Sequence, residues 1–373
     1  MIIFLLKTLV RGAFLLAILP LLIALLLTSE QLNRWLFEQA QRFEPRLQIE
    51  TVSGQFWRGW EFTGVRWEDE GLSADVDTLQ LTWSANCLFG LRLCIDELAV
   101  GNVVLTISPT EEDPEPRPER IELPALDLPL SIEIDRITLA SLRLDSDDPV
   151  LQDVHLVVSA SGDVLQVDSF SGTAADISWQ LTADLQTSGD WPVRVRSQVQ
   201  LPEVDDQPLS ADIRLDGSLA ALNVDVRTRG YVPGRLQGQV APLESNVPVE
   251  LNWQGGRFLP LRELPESLTM DLWTVQISGN LADGFAVSGD ADFPGGGEGR
   301  AVRAEWQTAV TLERADDLQV LLYAAEDRER QVTLSGNADW SGSEPRANVQ
   351  LRLRDFPWQR LYPQDLGDIS LYA

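Results

Sequence analysis

From Leu47 onward, apolar side chains recur at every second position, and that period decides the fold class. Val193, Val195, Val199 and Leu201 share one parity, while Arg194, Arg196, Gln198 and Gln200 take the other. The same alternation sets Ala211, Ile213 and Leu215 against Asp212, Arg214 and Asp216, and Leu222, Val224 and Val226 against Asn223, Asp225 and Arg227. It returns in Val249, Leu251 and Trp253 and in Val349, Leu351 and Leu353. Successive side chains point to opposite sides of a strand, so each such segment has one apolar and one charged face. Turn-forming stretches separate the runs: Asp216-Gly217, Gly255-Gly256, Gly279-Asn280, Asp283-Gly284 and Gly295 to Gly297. No helical period of useful length follows Pro45. The body is therefore all-β, an elongated antiparallel meander of many strands.

Blocks such as Ser210–Gly217 with Leu222–Gly230, Leu268–Gly279 with Phe285–Phe293, and Gln331–Trp340 with Arg346–Phe356 each read as one hairpin. A single hairpin cannot bury its apolar face, but stacked hairpins can, which is the logic of a solenoid. With no amphipathic helices in the body to cover that face, the sheet is expected to fold on itself into an open trough. Either side chains or lipid chains then fill the inside. The residues assigned to the inner face are Val195, Val199, Ile213, Leu215, Val224, Val226, Leu251 and Leu351. At ~4.8 Å per strand, ~25 strands would extend on the order of 120 Å.

The N-terminal segment has a different character. Gly12 to Leu27 is uninterrupted apolar sequence, preceded by Lys7 and Arg11 and followed by Glu30. With Ile2 to Val10 included and the two cations snorkelling, it can cross ~30 Å of hydrocarbon. Pro20 is tolerated in such a helix. The positive flank stays in the cytoplasm, which places the rest outside. The competing reading is a cleaved signal peptide, but Leu25 to Glu30 offers no small-x-small cleavage pattern. A short amphipathic helix is expected next, capped by Thr28 with Gln31 three residues on, carrying Leu32, Trp35, Leu36 and Phe43, and ended by Pro45. The organisation predicted is a transmembrane anchor at 1–28, an amphipathic helix at 29–45, a first β unit at 46–108, a Pro-rich acidic loop at 109–122 and a repetitive β-trough over 123–373. Glu111 to Arg120 (EEDPEPRPER) defines that loop, since it cannot form a core strand.

A net charge of −28 excludes the basic surface that nucleic acid needs, and with it a polybasic grip on anionic headgroups. No catalytic, cofactor or metal site emerges. His155 is the only histidine and lies in a strand-like run, Val154 to Val158. Asp145, Asp147-Asp148 and Asp205-Asp206 fall at turns, Glu111 to Asp113 in the Pro-rich loop, and no EF-hand pattern accompanies them. Gly295 to Gly299 lacks the Lys-Ser/Thr of a phosphate loop and reads as a hairpin turn. Cys87 and Cys94 are the only cysteines and fit no common zinc spacing. In an exported chain an even pair points to a disulfide closing a short loop, with two buried free thiols as the alternative. Among the twelve Trp, Trp57, Trp60, Trp67 and Trp83 cluster in the first unit, as bilayer or acyl-chain contacts or as ordinary strand packing.

Four stretches of the first unit carry a family resemblance: Ile49 to Gly54, Gly59 to Trp67, Leu79 to Trp83 and Cys87 to Leu98. Their order behind an N-terminal anchor resembles the N-terminal portion of TamB-like chains in the AsmA-like superfamily, where two cysteines recur around a short loop. The resemblance implies a long sheet folded lengthwise into a trough with an apolar interior. It implies an inner-membrane, single-pass protein of a Gram-negative bacterium, its N-terminus cytoplasmic and its bulk periplasmic. It implies phospholipid as cargo and an outer-membrane barrel of the TamA type as partner, in lipid transport or in assembly of outer-membrane proteins such as autotransporters. TamB-like chains run several times longer and end in a barrel-binding domain. Here Leu366 to Leu371 reads as the start of another strand, so a piece of a longer protein is expected, and barrel contact by this piece is left open.

Overall fold

The computed structural model describes residues 46–69, 71–107, 121, 123–145, 148–204, 206–259, 266–294, 301–341 and 345–361. Residue contacts divide the chain into two compact units, Met1–Asp113 with Leu126–Thr182 and Pro114–Ala125 with Ala183–Ala373. The expected anchor and amphipathic helix lie outside the described residues, as does the Gly295 to Gly299 turn. Among the described residues no helix is long and apolar enough to cross a membrane. Regular structure there consists of strands and three short 3₁₀ turns, Ala85–Gly90, Glu266–Leu268 and Trp358–Arg360.

The first unit contains β1 (Leu47–Gln55), β2 (Gly59–Asp69), β3 (Leu72–Trp83), β4 (Arg92–Ile107), β5 (Leu128–Leu144), β6 (Pro149–Gly162) and β7 (Val164–Ala174). The boundary between units falls within β8 (Ile177–Gln186). The second unit contains β9 (Pro192–Val204), β10 (Gln207–Ser218), β11 (Ala221–Gly230), β12 (Gly234–Val240), β13 (Val249–Gly255), β14 (Leu272–Asn280), β15 (Gly284–Phe293), β16 (Val302–Val310), β17 (Arg314–Ala324), β18 (Asp327–Asp339) and β19 (Arg346–Arg354). The three hairpins read from sequence are β10–β11, β14–β15 and β18–β19.

The antiparallel meander needs one correction. β4 and β5 run parallel, with Ile95 opposite Ile134, Leu98 opposite Ile137 and Val103 opposite Leu142. Antiparallel neighbours can be joined by a tight turn, whereas parallel ones need a crossover of a dozen or more residues. The Pro-rich stretch between β4 and β5 supplies that length.

A second departure is local. In β2 to β6 the apolar residues are spaced by three at one level: Phe62 and Val65, Val76 and Leu79, Val100 and Val103, Leu139 and Leu142, Leu151 and Val154. An extra residue in each strand keeps both members of the pair on one face. Gly64 takes the extra position in β2 with φ +60°, a left-handed conformation that suits glycine. In the next strands Asp77 organises the level. Its carboxylate accepts from the Asn102 backbone N–H at 2.7 Å, the Asn102 amide at 2.7 Å and the Thr78 N–H at 2.5 Å, and Ser141 donates to Asn102 Oδ1 at 2.7 Å. Burial pushes the Asp77 carboxyl up, but the bonds from Asn102 and Thr78 outweigh it and the net direction is down.

Well-buried apolar packing is concentrated at one end of the second unit. Val302, Val332, Phe356 and Leu361 form a cluster supported by Leu268, Phe293 and Leu322. The last two 3₁₀ turns cover it: Ser267 donates to the Leu361 carbonyl at 2.5 Å, and Arg360, 7% exposed, donates to Glu326 at 2.8 Å.

Candidate functional site

Directly opposed residues in a sheet share a face, so the registers can be followed from strand to strand. In the second unit one row reads Val195, Leu215, Val224, Gly238, Leu251, Ile277 and Val287 across β9 to β15. The next reads Ile213, Val226, Leu236, Trp253, Val275, Gly289, Trp306, Val320, Leu334 and Leu351 across β10 to β19. A third runs from Val199 and Ala211 through Thr228, Gly234, Gly255, Trp273, Ala291 and Ala304 to Leu322 and Val332. These rows place Val195, Val199, Ile213, Leu215, Val224, Val226, Leu251 and Leu351 on one face. Most are half-buried; Leu351 is 53% exposed, in a last strand exposed over nearly its whole length. In the first unit the rows Val52, Phe62, Leu79, Val100, Leu139, Val154 and Trp60, Leu81, Leu98, Ile137, Leu156, Phe170 behave likewise.

The opposite face of the second unit is polar in the same continuous way. Gln237, Asn252, Gln276, Ser288, Gln307, Gln319, Ser335 and Gln350 face one another from β12 to β19. Asp225 and Arg235 form a two-bond pair at 2.9 and 2.6 Å, and hydrogen bonds from Arg235 hold the Asp225 carboxyl below its ordinary value. A depression of about 860 Å³ lies on this side over β14 to β18. Several of its polar groups pair with one another. Thr274 donates to Asp290, Tyr323 donates to Glu305 at 2.8 Å, and Arg328 donates to Glu305 at 2.6 Å while its guanidinium lies 4.9 Å from the Tyr323 ring centre. Burial, then the Glu305 contact, raises the Tyr323 hydroxyl pKa. Nothing in that set converges on an empty point, so it reads as a solvated face and the apolar rows as the candidate site.

The floor of the apolar face has a feature that the alternation did not reveal. Trp273 lies across Gly255, so that a Cβ at Gly255 would sit 1.9 Å from the indole; Trp306 lies across Gly289 in the same way, at 2.5 Å. Trp273 donates to the Gly256 carbonyl at 3.0 Å and packs against Trp253 and Phe258, whose ring centres are 5.5 and 6.0 Å away. Neither pair lies within a hairpin read from the sequence, so the alternation carried no sign of them.

Cys87 and Cys94 are joined by a disulfide across the Ala85–Gly90 turn. Beside that turn Trp83 donates to the Phe56 carbonyl at 2.7 Å and stacks on Trp60 at 6.1 Å. His155 is exposed in β6, opposite Thr138 and Ser171. Among the described residues no group of three or more His, Cys, Asp or Glu is placed to hold a metal ion. A family described as TamB, N-terminal domain, matches residues 19–148 and 117–370. No solved structure matches the chain.

Proposed function

This chain belongs to the TamB N-terminal-domain family, and from that premise we propose that it is a non-enzymatic conduit whose apolar face solvates the acyl chains of phospholipids passing between the inner and outer membranes. The observation that carries the reading is the row from Ile213 to Leu351, apolar or glycine at every position from β10 to β19. A fatty-acyl chain needs no charge and no fixed pocket. It needs a strip of apolar surface without polar interruption, while the polar row one position away keeps the other face of the sheet in water. In this reading the sheet curls into a trough, the Gly12 to Leu27 run anchors the chain in the inner membrane, and the described residues are periplasmic. An outer-membrane barrel of the TamA type is the protein partner this reading expects.

The test is photocrosslinking in cells, with a photoreactive residue in place of Ile213 in one strain and Arg214 in another. Phospholipid adducts at 213 and none at 214 support the conduit. A folded protein with no adducts at either overturns it for this segment.

One observation favours a second reading, a scaffold for outer-membrane protein assembly. β19 is exposed along its length, with Val349 at 50% and Leu351 at 53%. An exposed strand can take up a client strand by main-chain pairing. Client crosslinks at 349 and 351, with no lipid at 213, select it.

A further inference from the structure

The stapled turn of the first unit exposes apolar side chains that no strand packing requires. Phe89 is 90% exposed, Leu91 75% and Leu88 43%, and Trp57, in the β1–β2 turn at the same end of the strands, is 42% exposed. The register fixes that common end: Gln55 opposes Gly59, Trp60 opposes Leu81, and Trp83 opposes Ile95. The turn is held rigidly in this posture. The disulfide closes it, Leu91 ends it with φ 54°, and the Leu91 N–H donates to the Leu88 carbonyl at 3.1 Å. Beneath it Phe56, Trp60 and Trp83 make edge and stacked contacts at 4.8 to 6.1 Å. A rigid base therefore presents an apolar tip to the outside, and exposed apolar patches of this kind mark interaction surfaces.

Charge narrows the partner. The chain carries −28 overall, yet Ser84 to Leu91 has no charged residue; Arg58 follows Trp57 in the β1–β2 turn, and Arg92, which follows Leu91, is paired with Glu133 at 3.0 Å. An uncharged aromatic and leucine tip with a cation beside it is the pattern that enters a headgroup layer, with the apolar groups reaching the acyl boundary and the Arg58 guanidinium near phosphate. Reach is consistent with this. β1, of nine residues, separates Leu47 from the tip by about 30 Å. With the expected amphipathic helix at 29–45, residues 28–46 cover about 28 Å at about 1.5 Å per residue, close to that distance.

We propose that Leu88, Phe89 and Leu91, with Trp57, form a wedge that inserts into the leaflet of the bilayer in which the chain is anchored. The wedge would hold the first strands against the lipid surface. This rests on the reading of Gly12 to Leu27 as a membrane anchor.

The test uses the full chain reconstituted into vesicles of phosphatidylethanolamine and phosphatidylglycerol. An environment-sensitive fluorescent amino acid replaces Phe89 in one preparation and Leu312, 73% exposed in the second unit, in another. Lipids carrying a quencher near the headgroup are included, and alkaline extraction is run in parallel. The expected result is a chain retained in the membrane, with quenching at 89 several-fold above that at 312. A retained chain with equal quenching at the two positions overturns the wedge alone. A blue-shifted signal at 89 without lipid quenching also overturns it, in favour of protein covering the tip. Release of the chain by alkali removes the anchor reading and the wedge with it.

Discussion

Replacing Gly255 by alanine should cost far more than one methyl group suggests, and only while Trp273 is present. The added Cβ would lie 1.9 Å from the Trp273 ring, so the indole must leave its place across β13. Leaving breaks the 3.0 Å bond to the Gly256 carbonyl, about 1 kcal/mol. It also loosens the contacts with Trp253 and Phe258, about 0.5–1.5 kcal/mol each. The total is about 2–4 kcal/mol. With Trp273→Ala already made, the space is free, and alanine at 255 should stabilise the strand by about 0.5–1 kcal/mol relative to glycine. The coupling between the two changes is then about 3 kcal/mol, a roughly hundredfold difference in local opening. Stacked strands open locally, so the assay is native-state hydrogen exchange at the amides of β13 and β14 in all four members of the cycle. Equal destabilisation by Gly255→Ala in the presence and absence of Trp273 would refute the reasoning.

Two further outcomes follow from the same geometry. Val332→Ala, in the covered cluster at 2% exposure, should destabilise β17–β19 by about 2–3 kcal/mol, whereas Leu251→Ala on the half-exposed face should cost about 1 kcal/mol at β12–β14 despite removing more atoms; comparable losses, read by exchange at each site, would mean that the two positions are equally enclosed. Asp77 has a folded-state pKa below its ordinary value, so its contribution is present above the unfolded-state pKa and disappears as pH falls through the folded one. The protection of the Asn102 amide, taken relative to its intrinsic exchange rate at each pH, should therefore fall on acidification in the native chain, and Asp77→Asn should flatten that dependence.

The second unit was legible where its strands keep parity, the register shifts being confined to the start of β10 and to β16–β18. The runs around Val195, Ile213, Val224 and Leu251 fall on one face without a break, and the register carries them from strand to strand. The first unit was less legible because the bulge level at Gly64, Asp77, Gly101–Asn102 and Ser141 shifts the parity by one, and a period of two cannot be read across it. The parallel β4–β5 pair was missed for a different reason. Alternation reports which face a residue takes and says nothing of strand direction, so only the length of the Pro-rich stretch hinted at it. The tryptophans over Gly255 and Gly289 lay beyond reach because each pair depends on a register that the single chain does not state.

The order of pairing has a consequence for how the chain is built. Within each unit the strands pair with their sequence neighbours, β1 to β7 and β9 to β19. A chain delivered at about 5–20 residues per second presents a new strand about once a second, while a hairpin closes in about 1–10 μs. Each strand can therefore be laid on the preceding edge long before the next arrives, and assembly keeps pace with delivery. The longest wait is for β5, since its partner β4 points the same way and the whole crossover from Ile107 to Leu128 has to emerge first. Until it does, the β4 edge stands open, and that pause is the moment at which a helper or a wrong strand has its best opportunity.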